Sequence, residues 1–385
     1  MMVRSPAFNA SDVKERAAAR AFELGAAAVR VARAQPDRAT GDAMRSAFAR
    51  GDFSTWPYDD DYSRQAAAPE HVLPGARSVL CIAVPYASAA PSRPPLHGRV
   101  SNYAWSADYH RRLRALLARV AEVLDEAAGA SVTAIACDTK PLAERAFAAR
   151  AGLGWVGKHT NLISPQLGSF VFLGEVVTTL ELPPDLPLRK SCGSCERCVT
   201  ACPTGALRGD YTIDATRCIS DLTQRTGSIP RAMRAAIGDW VWGCDLCQLA
   251  CPPTKAAGEA DVPANVPLSK ATAMPPLLEL LRLRSGEFKR TYAPTAMGWR
   301  GAAVLRRNAA VALGNALDRA TVPALEAALR DDPHPMVREH AAWALGRIGS
   351  PQALLALEGR RGSDPDAGVR VEIDAALEPY AAERR

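Results

Sequence analysis

Three modules are predicted: an α/β domain over residues 1–182, a small cysteine-built domain over 183–270, and stacked helix pairs over 271–385. Three observations carry the division. Apolar strand-like runs alternate with helical stretches up to Leu182; eight of the ten cysteines lie between Cys192 and Cys251; and the last third repeats itself, as Leu305, Val337 and Val369 show at a shift of 32 residues. A chain of 385 residues with 48% hydrophobic and 23% charged residues has room for several domains, each with its own core.

The N-terminus, "MMVRSPAFNASDVKERAAARAFELG", carries charges every few residues after Asp12 and lacks the apolar centre of an export signal. Ser11 or Asp12 is expected to cap the first helix. The longest uncharged apolar run, "SVLCIAVPYASAAPS", is too short to span a bilayer and is broken by Pro85, so no membrane contact and a cytoplasmic location are expected. In the first module "SVLCIAV", "SVTAIAC" and "FVFLGEVVTTLEL" read as strands, and Leu113, Leu116, Leu117, Val120 and Leu124 share one helical face. This alternation predicts α/β architecture. "ELPPDLPLRK" is a proline-rich linker into the second module.

The second module is defined by its thiols. Cys192, Cys195, Cys198, Cys202 and Pro203 form one motif; Cys218, followed at a distance by Cys244, Cys247, Cys251 and Pro252, forms another. In a reducing compartment such a cluster points to metal rather than disulfides. Two motifs ending in Cys-Pro resemble the bacterial two-cluster ferredoxin, in which the fourth cysteine of each motif ligates the other cluster. That exchange gives one 4Fe-4S cluster on Cys192, Cys195, Cys198 and Cys251 and a second on Cys202, Cys218, Cys244 and Cys247. Structural zinc is the alternative, but it favours paired C-x2-C knuckles over a four-cysteine run closed by proline. Cys81 and Cys137 stand alone in apolar segments and are expected to be buried.

The third module repeats "VALG" from Val311, "WALG" from Trp343 and "AALE" from Ala375, each after an apolar-arginine pair: Leu305-Arg306, Val337-Arg338, Val369-Arg370. Small and apolar residues at helical spacing with fixed self-similarity resemble HEAT repeats. An alanine-rich bundle with accidental similarity is the plainer alternative.

The stretch "CDTKPLAERAFAARAGLGWVGKHTNLISPQLGSFVFLGEVVTTLEL", followed by the cysteine motifs, "CISDLTQRTGSIP" and the repeats, resembles the epoxyqueuosine reductase family over most of the chain. The resemblance implies cobalamin in the first module, two 4Fe-4S clusters in the second, an external electron-donor protein, and reduction of epoxyqueuosine to queuosine at the wobble position of tRNA. It implies Asp138 as the proton donor, with burial raising its pKa, although a helix N-cap is the plainer role for that residue. It places Ser101, Tyr103, Asp138, Lys158, Thr160, Asn161 and Ser220 against the corrin. "DYHRRL" lacks the glycine of a D-x-H-x-x-G motif, so no histidine is expected below the cobalt. Two segments depart from the family pattern: "GDFSTWPYDDDYSRQ", and the "CISDLTQR" segment at Asp221, Gln224 and Arg225. In "EFKRTYAPTAMGWRGAAVLRRN", Lys289, Arg290, Arg300 and Arg307 are expected to meet tRNA phosphates, and Arg306 shares that stripe. For the periodic arginines Arg306, Arg338 and Arg370, bonding between neighbouring helices is the preferred reading. A small-molecule reductive dehalogenase and a non-catalytic electron-transfer scaffold are the alternatives.

Overall fold

The computed structural model describes residues 9–258 and 266–380. The first helix, Ala10–Glu23, is capped by Asn9 rather than by Ser11 or Asp12: its side-chain oxygen accepts the N–H of both. Asp12 instead lies in the first turn, where a negative charge complements the exposed N–H groups.

Four strands form the main sheet in the order Ala28–Arg33, Ser78–Pro85, Val171–Thr178, Thr133–Ala136. Every neighbouring pair is antiparallel. The alternation of helix and strand therefore gave the composition of the layers but not the strand direction. Ala28–Arg33 escapes a sequence reading because Arg30 and Arg33 break up its apolar run. Ser78–Pro85 is buried along its whole length, and Cys81 and Cys137 are buried as expected.

One face of the sheet carries the helices Ala10–Glu23 and Tyr109–Ala128; the latter buries Leu113, Leu116, Leu117, Val120 and Leu124, the predicted stripe. It crosses the sheet so closely at Gly174 that a Cβ there would stand 2.9 Å from Leu117 Cδ1. The other face holds the short helix Glu144–Arg150 through Phe147, with Leu142 and Leu153.

The remaining core is continuous from the cysteine region into the helix stack. Val100, Trp105, Leu222, Trp240 and Trp242 share it with the repeat helices Ala302–Ala316, Pro335–Ile348 and Ala367–Leu377. Glycines set the spacing of these helices: a Cβ on Gly314 would stand 2.8 Å from Ala344 Cα, and one on Gly346 would stand 2.6 Å from Ala376 Cβ. The periodic arginines tie unit to unit. Arg306 pairs with Asp332 at 2.7 Å and Arg338 with Asp364 at 2.9 Å, while Arg370 donates to the Asp364 carbonyl at 2.6 Å. Among the described residues no helix is long and apolar enough to cross a membrane.

Candidate active site

None of the ten cysteines is in a disulfide. The thiols of the second module that act on one another electrostatically fall into two groups. Cys198 feels Cys192 and Cys251, and Cys251 feels Cys192 and Cys195; Cys218 feels Cys202, while Cys244 feels both Cys218 and Cys202, and Cys247 feels Cys244 and Cys218. Cys198 is also among the groups acting on Cys247, so the two groups adjoin. Burial pushes most of these thiols up, but backbone N–H groups act the other way at Cys198, Cys202, Cys218, Cys244 and Cys251. At Cys202 the Thr204 hydroxyl and the N–H groups of Ala206, Leu207 and Thr204 outweigh burial and lower the pKa. Sulfurs that collect N–H donors suit thiolate ligands of an iron-sulfur cluster. Among the described residues no three His, Cys, Asp or Glu side chains converge where one ion could sit. A four-iron cubane makes no such demand, since it spreads four thiolates over four metal atoms.

Asp138 lies just beyond the edge strand Thr133–Ala136, at the rim of an antiparallel sheet, with φ 58, a left-handed conformation uncommon outside glycine. Its Oδ2 accepts from the Tyr109 hydroxyl at 3.0 Å and lies 3.2 Å from His110 Nε2. On the far side of the imidazole, Nδ1 stands 2.7 Å from Asp108 Oδ1. Asp108 also caps the helix Tyr109–Ala128, so one residue starts the helix and orients the ring. The expectation of a raised Asp138 pKa is corrected. Its side chain is 62% exposed rather than buried, the hydrogen bonds from His110 and Tyr109 hold the carboxyl below its usual range, and the same contact raises His110. The helix-cap role falls too, since Glu144–Arg150 has Ala143 at its N-cap and no side-chain cap. Asp108, Tyr109 and His110 were missed at the sequence level; the signal was an Asp-Tyr-His triplet at a helix start, 28 to 30 residues before Asp138.

Facing this group across the interface of the modules, the Tyr103 hydroxyl donates to Gln224 Oε1 at 3.2 Å and accepts from Trp242 Nε1 at 2.9 Å. Gln224 Nε2 in turn donates to Ser220 Oγ at 3.0 Å. Asp138 and Asp245 both act on Tyr103, whose pKa burial drives far upward. Thr160 and Asn161 are half-buried in the loop after Trp155–Val156, and Thr160 is left-handed with φ 64. Two buried ring nitrogens of that loop, Trp155 Nε1 and His159 Nε2, have no hydrogen-bond partner. Unanswered buried donors and acceptors of this kind suit the polar rim of a large bound cofactor. Two predicted contacts do not join this surface. Ser101 is 3% exposed and gives its hydroxyl to Asp245 at 2.5 Å; Lys158 is 7% exposed and its ammonium is taken by Glu196 at 3.0 Å, between Cys195 and Cys198.

The two unusual segments touch each other. Asp221 Oδ1 accepts from Thr55 Oγ1 at 3.0 Å and from Trp56 Nε1 at 2.7 Å, and Asp221 also pairs with Arg225. Of the basic residues, Lys289 and Arg290 are exposed on the helix Ser285–Thr291. Arg300 lies 3.6 Å over the Trp299 ring and donates to the Gln224 carbonyl at 2.7 Å. Arg307 is a correction. It is fully buried and donates to the carbonyls of Leu222, Thr223, Arg225 and Gly227, so it reaches no phosphate.

Fold and thiols together define a two-cluster iron-sulfur oxidoreductase carrying helical repeats. Residues 191–254 match the 4Fe-4S double cluster binding domain, 299–378 match HEAT repeats, and 67–139 match the family described as "Epoxyqueuosine reductase QueG, DUF1730". The epoxyqueuosine reductase of Bacillus cereus is 36% identical over 82% of this chain and 84% of its own; that of Escherichia coli is 38% identical over 73% and 75%. A crystal structure of epoxyqueuosine reductase with an epoxyqueuosine-modified tRNA-Tyr stem loop superposes with a TM-score of 0.90 at 33% identity, over 96% of this chain and 99% of that one. The Bacillus subtilis enzyme, captured with a catalytic loop swung out of the active site, gives 0.89 at 32% identity over the same shares. The chain belongs to the epoxyqueuosine reductase family.

Proposed function

We propose that this protein reduces epoxyqueuosine to queuosine in the wobble position of tRNA, in the cytoplasm, with electrons from an external donor protein entering through two 4Fe-4S clusters. The three-part division at 182/183 and 270/271 assigns corrin binding and catalysis, electron delivery, and tRNA binding in turn. Removing the epoxide oxygen as water consumes two electrons and two protons. Cobalamin, when bound, would supply the two-electron chemistry that clusters passing single electrons lack. Tyr103, Thr160, Asn161 and Ser220 are the residues of this chain that would hold it, with Asp138 at its substrate side.

Asp138 then delivers one of the two protons to the departing oxygen, and solvent supplies the other. Its carboxylate is paired with His110, so the proton resides on the imidazole and reaches the oxygen through Asp138, while Asp108 holds the ring and balances its charge. The observation that carries this reading is the chain of contacts from Asp138 through Tyr109 and His110 on one side, and from Tyr103 to Gln224 and Ser220, two residues from Cys218, on the other. Lys289, Arg290 and Arg300 supply the phosphate contacts, so binding weakens steeply with salt.

The test is single-turnover reduction of epoxyqueuosine tRNA, followed by mass spectrometry of the nucleosides, with iron and cobalamin contents matched between proteins. Asp138→Asn is expected to lose about a hundredfold in rate, the scale of losing a positioned acid. Near-normal turnover by that variant would move the proton donor elsewhere.

A further inference from the structure

Behind Asp138 lie two carboxyls that the reaction does not touch. Glu175, in the strand Val171–Thr178, pairs in register with Cys81 on one neighbouring strand and with Ala136 on the other, and is 0% exposed. Neither of its oxygens meets a hydrogen-bond donor, and no cationic side chain is among the groups that act on it. After burial, the strongest influence on it is the Glu144 carboxyl, which stands at hydrogen-bonding range. Glu144 begins the helix Glu144–Arg150, and its Oε1 accepts the backbone N–H of Asp138. Asp138 is the residue held left-handed.

An uncompensated carboxylate sealed from water is costly, and two adjacent carboxyls cannot both be ionised there without strong repulsion. One must keep its proton, and the one without water or cation is Glu175. A protonated Glu175 has a hydroxyl to give, and the acceptor in range is Glu144. We propose that protonated Glu175 hydrogen-bonds Glu144 and thereby fixes the oxygen that grips the Asp138 N–H, making the pair a positioning device for the proton donor. This rests on the reading of Asp138 given above.

Burial, opposed by the Asp138 N–H and reinforced by the Asp138 charge, raises Glu144 to about 7, so Glu144, and not Glu175, is the carboxyl that ionises near neutrality. Around it stand Asp138, His110, Arg145 and Tyr62 on the Glu144 side, and Cys81 and Cys137 on the Glu175 side. When both carboxyls ionise they repel, the grip on the Asp138 N–H loosens, and the left-handed turn is free to relax. Positioning therefore holds through neutrality and fades only where pH rises far enough to take the Glu175 proton.

Four variants separate the roles. Glu175→Gln keeps a donor and cannot ionise, so turnover should stay within about twofold of wild type and the Asp138 amide should stay protected to higher pH. Glu175→Leu and Glu144→Leu break the contact and should lower kcat about tenfold or more with tRNA affinity unchanged, as misplacement of a reacting group does. Glu144→Gln keeps an oxygen for the Asp138 N–H and should fall between. Two readouts need no cofactor: infrared spectroscopy should show a protonated-carboxyl band that vanishes in Glu175→Gln, and hydrogen exchange at the Asp138 amide should quicken in Glu144→Leu. Should either leucine variant fail to fold, the infrared band and the protection of the Asp138 amide in Glu175→Gln decide the matter. A band unchanged in Glu175→Gln, or wild-type turnover and exchange in both leucine variants, would overturn the proposal. A wild-type protein that shows the band and the slow amide but leaves epoxyqueuosine tRNA unreduced would overturn the reaction instead.

Discussion

His110 and Asp138 hold one proton between them, and the sign of each shift fixes when. His110 is raised by its hydrogen bond to Asp138, so its contribution is complete below the ordinary histidine pKa and is lost as pH climbs through the raised value. Asp138 is lowered, so its contribution is present above the ordinary carboxylate pKa and is lost as pH falls through the depressed value. Between those limits the pair is intact and charged. Turnover is expected to hold across neutrality and to fall on the alkaline side as the imidazole proton leaves. In His110→Gln that alkaline limb should move and the rate should drop at least tenfold, which a pH-rate profile of single turnovers will show. A profile identical to wild type would take His110 out of the proton path. Asp138 could be found in the sequence only through its likeness to a family, because its neighbours come from a helix start far upstream that only folding brings near. The direction of its pKa is hidden for the same reason: an apolar strand suggests burial, whereas the fold leaves the side chain exposed past the strand end and brings to it an imidazole from elsewhere in the chain.

Among the elements, the helix Ala302–Ala316 does most to join the repeats to the redox region. Arg307 reaches out of it to four backbone carbonyls of the segment Leu222–Gly227, and Asn308 adds bonds to the carbonyls of Thr223 and Val241. Burial pulls Arg307 down to about 9, so it remains charged at neutral pH while its hydrogen bonds offset the lost hydration. Arg307→Met should cost about 3 kcal/mol or more, because buried carbonyls lose their donor, and urea denaturation will measure it. An unchanged midpoint would mean that water takes the place of the guanidinium. The 32-residue rhythm made these helices legible, and it correctly assigned Arg306, Arg338 and Arg370 to bonds within the stack. The rhythm is silent on Arg307, one residue out of phase, whose partners belong to another module. Strand direction in the sheet was hidden likewise, since apolar runs do not say which way a chain returns.

At the scale of the whole molecule, three sequence modules do not make three independent bodies. Trp105 from the first, Leu222 and Trp242 from the second and Leu305 from the third share one apolar core. Asp52 from the first also binds Arg208 of the second. Truncation after Thr291 is therefore expected to strip more than tRNA affinity: it uncovers Trp242 and removes Arg307 from the segment bearing Cys218. Iron content after anaerobic purification should fall below that of the full chain; a truncated protein with full iron would show that the second module stands without the repeats. The cysteine motifs announced their chemistry through spacing alone, whereas the protein that surrounds them had to be seen folded.

The bond from Trp56 to Asp221 carries a consequence for engineering. A graft that replaces Thr55 and Trp56 alone leaves Asp221 with Arg225 but without its two other donors, and one that replaces Asp221 alone leaves an indole N–H without its acceptor. These stretches, more than 160 residues apart in the chain, are to be exchanged together, as a single transplantable unit.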